Sequence, residues 1–319
     1  MEGIRNGFGA MNGNEPSFAW YRVAGHLFGV SCPWMEQIDR LLPSYLPFRQ
    51  KEAPLLPEER LFTLVTVTPD TLSQVAIRQP LVEDANDLGR WRLSRTDDGF
   101  CVDLQYAAGH PWHRMVCDAG FRTLQGAIQW EDSFAGEVLN SFAMMGFAQA
   151  SAGFGTAMIH ASVIMQGDNG YAFLGVSGTG KSTHSRLWLE HIEGTELLND
   201  DNPAIRITPE GIIQIYGTPW SGKTPCYKNK EAKLVAFVQL KQAPFNRFSR
   251  LKGMQAYMTL LSGCSSLKWN TTLYNALGHT VEQLANRIPV AFLECLPDEE
   301  AARMCHSGLQ TLIDLSNVK

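Results

Sequence analysis

The segment that most constrains this chain is Gly175-Val-Ser-Gly-Thr-Gly180-Lys181-Ser182, which fits the pattern GxxxxGK[ST]. With average residue frequencies, a chance match in a chain this long is on the order of one in a hundred. The pattern works as a phosphate cradle only between a strand and a helix. Tyr171–Leu174 reads as the entering strand and Ser182–His191 as the leaving helix. Glycines let backbone N–H groups turn inward, and the helix start adds its positive end. Lys181 is expected to reach the β- and γ-phosphates, and the Ser182 hydroxyl to ligate Mg²⁺. The expected nucleotide contacts are therefore Gly175, Ser177, Gly178, Thr179, Gly180, Lys181, Ser182 and Thr183. A second match, Gly217-Thr-Pro-Trp-Ser-Gly222-Lys223-Thr224, runs into Pro225-Cys-Tyr-Lys228, which starts no helical pattern. It reads as a loop. Lys223 within it is expected to contact the γ-phosphate or the acceptor.

Two hairpins point at the cradle. Gly167-Asp168-Asn169-Gly170 turns between strands 158–166 and 171–174. Pairing Gln166 with Tyr171 sets His160 opposite Ser177. Pro209-Glu210-Gly211 turns the second hairpin. Pairing Thr208 with Ile212 sets Asp201 opposite Pro219 and Asp200 opposite Trp220. Strand 196–199 follows the cradle's helix, and in a parallel crossover its end lies on the same rim. Adjacent aspartates there suit phosphoryl transfer: one holds Mg²⁺, the other accepts the proton of the attacking hydroxyl. Asp200, Asp201, His160 and Lys181 are thus the candidate catalytic residues, and Ser182, Asp200 and Asp201 the candidate metal ligands. Arg247 and Arg250 read as surface arginines near a helix start, or as a phosphate clamp.

The 319 residues carry 27 basic and 32 acidic side chains, a net charge of -5, with no dense Lys/Arg run. That argues against a nucleic-acid partner. The seven cysteines are scattered singly without CxxC, which fits a reducing, cytoplasmic setting. Val138–Gly167 lacks charge over a length that could span a bilayer, but its polar residues and glycines favour a buried helix, about Phe134 to Ala152, and then a buried strand. No membrane partner is expected. Strands alternate with helices after residue 134, an α/β pattern. Residues 1–133 read as a smaller, mainly antiparallel β domain of unassigned role, with Asp97-Asp98-Gly99 as a hairpin turn. His110 and His113 form an HxxH without a third ligand at zinc spacing, so they read as loop residues.

FLGVSGTGKST together with LLNDDNPAI resembles the C-terminal kinase domain of HPr kinase/phosphorylase, and the phosphate loop and paired aspartates of phosphoenolpyruvate carboxykinase. The segment from Phe134 to Leu312 is similar to the broader HPr-kinase-related family of bacterial proteins, as are GTPWSGK and RIPVAFLECLPDEEAA. The resemblance implies a P-loop mixed sheet flanked by helices over residues 134–319. It implies an ATP- and Mg²⁺-dependent kinase, with GTP as an alternative nucleotide, and an acceptor hydroxyl on a protein or small molecule. By carry-over Gly175–Thr183 bind nucleotide, Asp200 and Asp201 serve metal binding and base catalysis, and His160 assists. Gln214-Ile-Tyr-Gly217-Thr-Pro-Trp stands where HPr kinase has an EIRG-type signature, so HPr is not the expected acceptor. A homo-oligomer, a nucleotide-binding adaptor without transfer, and a plain NTPase remain open alternatives.

Overall fold

The computed structural model describes residues 16–86, 89–222 and 224–317. It is a mixed α/β protein with two mixed sheets, and the chain divides into two compact units. One unit comprises Leu27–Ala150 and the described residues before Val23; the other comprises Val23–His26 and the chain from Ser151 onward.

The first unit holds β1 (Ala19–Val23), β2 (His26–Ser31), β3 (Arg49–Gln50), β4 (Arg60–Val67), β5 (Gln79–Asn86), β6 (Gly89–Arg95), β7 (Gly99–Gln105), β8 (His113–Asp118) and β9 (Thr123–Ala127). They form one sheet in the order β3-β1-β2-β4-β9-β8-β7-β6-β5. The β5–β9 portion is an antiparallel meander, but β4 runs parallel to both β2 and β9. The expected mainly antiparallel region is therefore a nine-stranded mixed sheet. Short helices α1 (Ile38–Leu41) and α2 (Pro69–Ser73) lie in its connections.

Helix α3 (Ala135–Ala152) belongs to this unit as far as Ala150, so the division falls near residue 150 and not at 133/134. The reason is packing. Gly126 and Gly146 carry no side chain, so the Phe142 ring comes close to the first, and Leu124 and Phe62 close to the second. Asn140 accepts a hydrogen bond from the Tyr45 hydroxyl at 2.9 Å. The uncharged run from Val138 is thus a buried helix followed by strands. No described helix is long and apolar enough to cross a membrane.

The second unit contains β10 (Thr156–Met158), β11 (Ala161–Gln166), β12 (Asn169–Leu174), α4 (Lys181–His191), β13 (Thr195–Asp201), β14 (Ala204–Ile207), β15 (Ile213–Tyr216) and β16 (Glu231–Gln242). It continues with β17 (Arg247–Leu251), α5 (Gly253–Gly263), α6 (Thr271–Arg287), β18 (Val290–Cys295) and α7 (Glu299–Asn317). The sheet order is β10-β14-β15-β16-β12-β11-β13, with β18 pairing β16 and β17. Its central strands are buried on both faces, as expected when helices cover both sides. Val163, Met165, Ala172 and Leu174 pack with Leu260 of α5 and Leu277, Val281 and Leu284 of α6. Ile164, Tyr171 and Phe173 point the other way, to Leu187 and Trp188 of α4 and Cys305 and Leu309 of α7. The two-residue period of the strands sorts these side chains to opposite faces.

Candidate functional site

β12 runs parallel to β16, and β16 parallel to β18, so the C-terminal ends of all three share one edge. Open α/β sheets bind ligands on that edge. Here the loop 175–180 leaves β12 and enters α4. Gly178 (φ 80°) and Gly180 (φ 101°) occupy the left-handed region, which β-carbon-bearing residues adopt only with strain. The expected strand–loop–helix order at the cradle is present. Thr179 braces the loop internally: its N–H and its hydroxyl both donate to Val176 O, at 3.1 and 2.7 Å. Ser177 and Ser182 are exposed, and Thr183 is half-buried.

Lys181 does not extend into solvent. It is 8% exposed, and its Nζ donates to Gly175 O at 2.9 Å and to His160 Nε2 at 2.8 Å. An ammonium has only protons to offer, so His160 Nε2 must be the acceptor and the ring proton sits on Nδ1. That Nδ1 lies 2.9 Å from Asp201 Oδ1. The result is a directional chain, Lys181 to His160 to Asp201, linking residues from three separate elements at the mouth of the loop.

The register behind this chain differs by two from the sequence expectation. Gln166 pairs with Asn169, not Tyr171, around the turn Gly167–Asp168, and Ala161 pairs with Leu174. His160 therefore falls level with Gly175 and not with Ser177. A shift of two keeps every side chain on its face, so His160 still meets the loop. It occupies the break between β10 and β11, where its own N–H donates to Gly263 O at 2.8 Å.

The second hairpin has the expected register, with Ile207 opposite Ile213 and Thr208 N–H donating to Ile212 O. Beyond β14 and β15 it slips by two, and Asp201 bridges Ser221 in place of Pro219. β13 reaches the rim by a different route from a simple crossover. It pairs antiparallel with β11, which itself runs antiparallel to β12. β13 and β12 therefore point the same way with β11 between them.

Asp200 pairs with Ser162, and Ser162 Oγ lies 2.6 Å from Ser185 Oγ of α4. Ser182 lies one turn before Ser185, on the same side of that helix. Asp200 is thus on the α4 face of the sheet. It is 7% exposed, and its Oδ2 accepts from the Thr224 hydroxyl at 2.6 Å. Asp201, half-buried, carries His160 on Oδ1 and Asn202 Nδ2 on Oδ2 at 2.7 Å.

Sequence reasoning missed the residue that shapes this turn. Asn199 is fully buried, and its Oδ1 accepts from the N–H groups of Asp201 and Asn202 at 3.1 and 3.0 Å. Its amide donates to Thr218 Oγ1 at 3.1 Å, and Thr218 in turn donates to Asn202 O at 2.7 Å. The available signal was the turn-forming run Asn199-Asp-Asp-Asn-Pro203. Ser221 adds to the same brace by accepting from Asp200 N–H at 3.2 Å. Residues 217–222 are not followed by a helix, so the second glycine-rich match is a loop as expected. Lys223 lies outside the described residues. Trp220 is buried, and the Cys226 thiol, pushed up by burial, lies against Leu197 and Leu198 carbonyls.

Other candidates go elsewhere. Arg247 and Arg250 are exposed residues of β17, just before α5 begins at Gly253, which fits the surface reading, and Arg247 is paired with the buried carboxylate of Glu294. In the first unit, His110 Nδ1 and His113 Nε2 flank the two oxygens of Asp132 at 2.7 and 2.9 Å. His113 Nδ1 accepts from Gln129 N–H at 3.1 Å. That HxxH braces a loop. Burial would raise the Asp132 carboxyl, but the Phe134 N–H and the two imidazoles hold it below its ordinary value.

α4 also carries His184, which is 2% exposed. Its Nε2 accepts from Trp188 Nε1 at 3.2 Å, and burial depresses its pKa to about 4. Its Nδ1 has no hydrogen-bond partner among the described residues.

Compared with known proteins, the chain matches no family model and no curated protein.

Proposed function

We propose that the chain is a cytoplasmic, ATP- and Mg²⁺-dependent kinase with a P-loop fold of the HPr-kinase and phosphoenolpyruvate-carboxykinase kind. The observation that carries this reading is the chain Lys181–His160–Asp201 at the end of a glycine-rich strand–loop–helix. A loop that only turned the backbone would have no need of a buried lysine bridged to an imidazole–carboxylate pair.

The site's donors fit Mg²⁺. Ser182, Asp200 and Asp201 offer oxygen only, which is what this hard cation takes. Among the described residues no group of three or more His, Cys, Asp and Glu forms a metal site. That number is compatible with Mg²⁺, which commonly uses one or two carboxylates and completes its shell with water and phosphate oxygens. When bound, it would neutralise charge on the phosphates. The position of Asp200 on the α4 face, with Ser182, favours it as the metal-side carboxylate. Asp201 then serves as the base.

In the proposed transfer, the acceptor oxygen forms a bond to the γ-phosphorus as the bond from that phosphorus to the β–γ bridging oxygen breaks. The acceptor proton passes to Asp201, whose orientation His160 and Asn202 hold. Lys181 stabilises the charge that develops on the phosphoryl oxygens.

The test is incubation of the full chain with γ-labelled ATP, Mg²⁺ and a panel of hydroxyl amino acids and peptides. Asp201→Asn should lose transfer by about 10²–10⁴-fold while still binding ATP. Lys181→Ala should lose both. Tight ATP binding with no labelled product on any acceptor would favour an adaptor and sink the kinase reading.

A further inference from the structure

The second glycine-rich match, which begins at Gly217 and ends at Thr224, has no role so far beyond being a loop. Its glycines differ from those of the cradle. Gly178 and Gly180 have left-handed φ values, whereas Gly217 and Gly222 do not. Main chain passes against both of them instead. A β-carbon at Gly217 would run into Lys228 O, and one at Gly222 would stand 3.2 Å from Asp200 O.

The close approach at Gly222 serves Asp200. The Gly222 N–H donates to Asp200 O at 3.1 Å. Ser221 Oγ accepts from the Asp200 N–H at 3.2 Å and donates its own proton to Thr224 O at 2.9 Å. The Thr224 hydroxyl then donates to Asp200 Oδ2 at 2.6 Å. Ser221, Gly222 and Thr224 thus hold the N–H, the carbonyl and one carboxylate oxygen of a single residue. The other oxygen, Oδ1, has no hydrogen bond among the described residues and is not sealed from solvent. The carboxylate torsion of an aspartate is soft and two-fold, so an untethered group would exchange its two oxygens. The Thr224 hydroxyl stops that exchange.

We propose that Thr224 is a positioning residue for the divalent cation of the transfer reaction: its hydroxyl fixes the Asp200 carboxylate so that Oδ1 is the oxygen left for the metal. The inference rests on the kinase reading above and deepens it. It gives the second GxxxxGK[ST] segment a task of its own, holding a metal-side carboxylate where the first segment holds phosphate. Partners that hydrogen-bond a ligating carboxylate commonly set metal affinity by about 10–100-fold. Thr224 is exposed, so its methyl group adds little packing and the hydroxyl is what its side chain contributes.

The probe is Mn²⁺, which takes the same oxygen ligands as Mg²⁺ and is read by electron paramagnetic resonance. It is titrated into the full chain with a non-hydrolysable ATP analogue, so no turnover is needed. Thr224→Val keeps the side-chain shape and removes the donor; Thr224→Ser keeps the donor. Thr224→Val should weaken Mn²⁺ about tenfold or more, and Thr224→Ser should stay within about threefold of the wild type. Binding of the analogue in EDTA should change by less than about twofold in either variant. If Thr224→Val binds Mn²⁺ as tightly as the wild type, or Thr224→Ser is as weak as Thr224→Val, the positioning role is wrong and the kinase reading stands. If Thr224→Val weakens the analogue in EDTA as much as it weakens Mn²⁺, the residue acts on the fold and not on the metal, which also overturns the inference. If the wild type with the analogue binds no Mn²⁺, the metal-dependent kinase reading itself falls, and this inference with it.

Discussion

Gly217 gives a direct way to test the packing that holds the carboxylate turn. It sits where β15 gives way to the loop ending at Thr224, and its N–H donates to Lys230 O at 3.0 Å. A β-carbon there would stand 2.1 Å from Lys228 O and 3.2 Å from Leu198 O. Both are main-chain atoms, so no side-chain rotation relieves the clash. The Lys228 carbonyl would have to retreat by about 1.3 Å to reach the 3.4 Å of an ordinary contact. Overpacking of this kind costs about 1–3 kcal/mol. For a unit of this size, each kcal/mol lowers the melting temperature by about 2–4 °C. Gly217→Ala should therefore melt about 2–12 °C below the wild type in a thermal unfolding scan. Gly278→Ala is the matched control. It lies inside α6, where its β-carbon meets only the Tyr257 hydroxyl at 3.2 Å, the free end of a side chain. Alanine is favoured over glycine in a helix by about 1 kcal/mol, so this variant should melt at or above the wild-type temperature. If Gly217→Ala melts within about 1 °C of the wild type, or if the two variants shift in the same direction, the reasoning from close approach fails.

Trp188→Ala should destabilise the second unit by about 3–5 kcal/mol in urea titration, because the indole is fully buried against Tyr171, Phe173 and His306. Asn199→Ala should cost about 1–3 kcal/mol by stranding the Asp201 and Asn202 N–H groups, and should weaken any transfer activity beyond what stability explains. His184 predicts a pH dependence. Its folded pKa of about 4 lies below the ordinary 6.5, so the unfolded chain binds the extra proton between those values. Its contribution is intact above pH 6.5 and is lost as pH falls toward 4, roughly 3 kcal/mol in all. His184→Phe should remove that part of the slope between pH 7.5 and 4.5, and an unchanged slope would refute the assignment.

Much of the second unit was readable from sequence because its signals are local. The cradle needs glycines, a strand and a helix within one short segment, and all three are adjacent in the chain. The helices 253–263, 271–287 and 299–317 follow their apolar spacing closely. β1, β2 and β17 were not readable. Each is short and lies at the margin of a region whose pattern gives no strong period. Arg247 reads from sequence only as a surface arginine near a helix start; its strand neighbour Glu294 lies 47 positions away, beyond the reach of a local pattern.

The sequence by itself determined the glycine-rich strand–loop–helix, the hairpin turns and the face on which His160 and the aspartates lie, since a two-residue slip leaves faces unchanged. It therefore brought His160 and the aspartates to the correct rim even with the wrong partner opposite His160. Tertiary structure decided what those groups do to one another. That Lys181 donates to His160, that His160 orients Asp201 and not Asp200, and that Asn199 builds the turn all depend on contacts between distant segments. The same holds for α3. Its uncharged sequence specified burial, but only the side chains of Phe62, Leu124 and Phe142 around two glycines decided which unit buries it. Local chemistry sets what a segment can form; which partner it meets depends on how the whole chain closes.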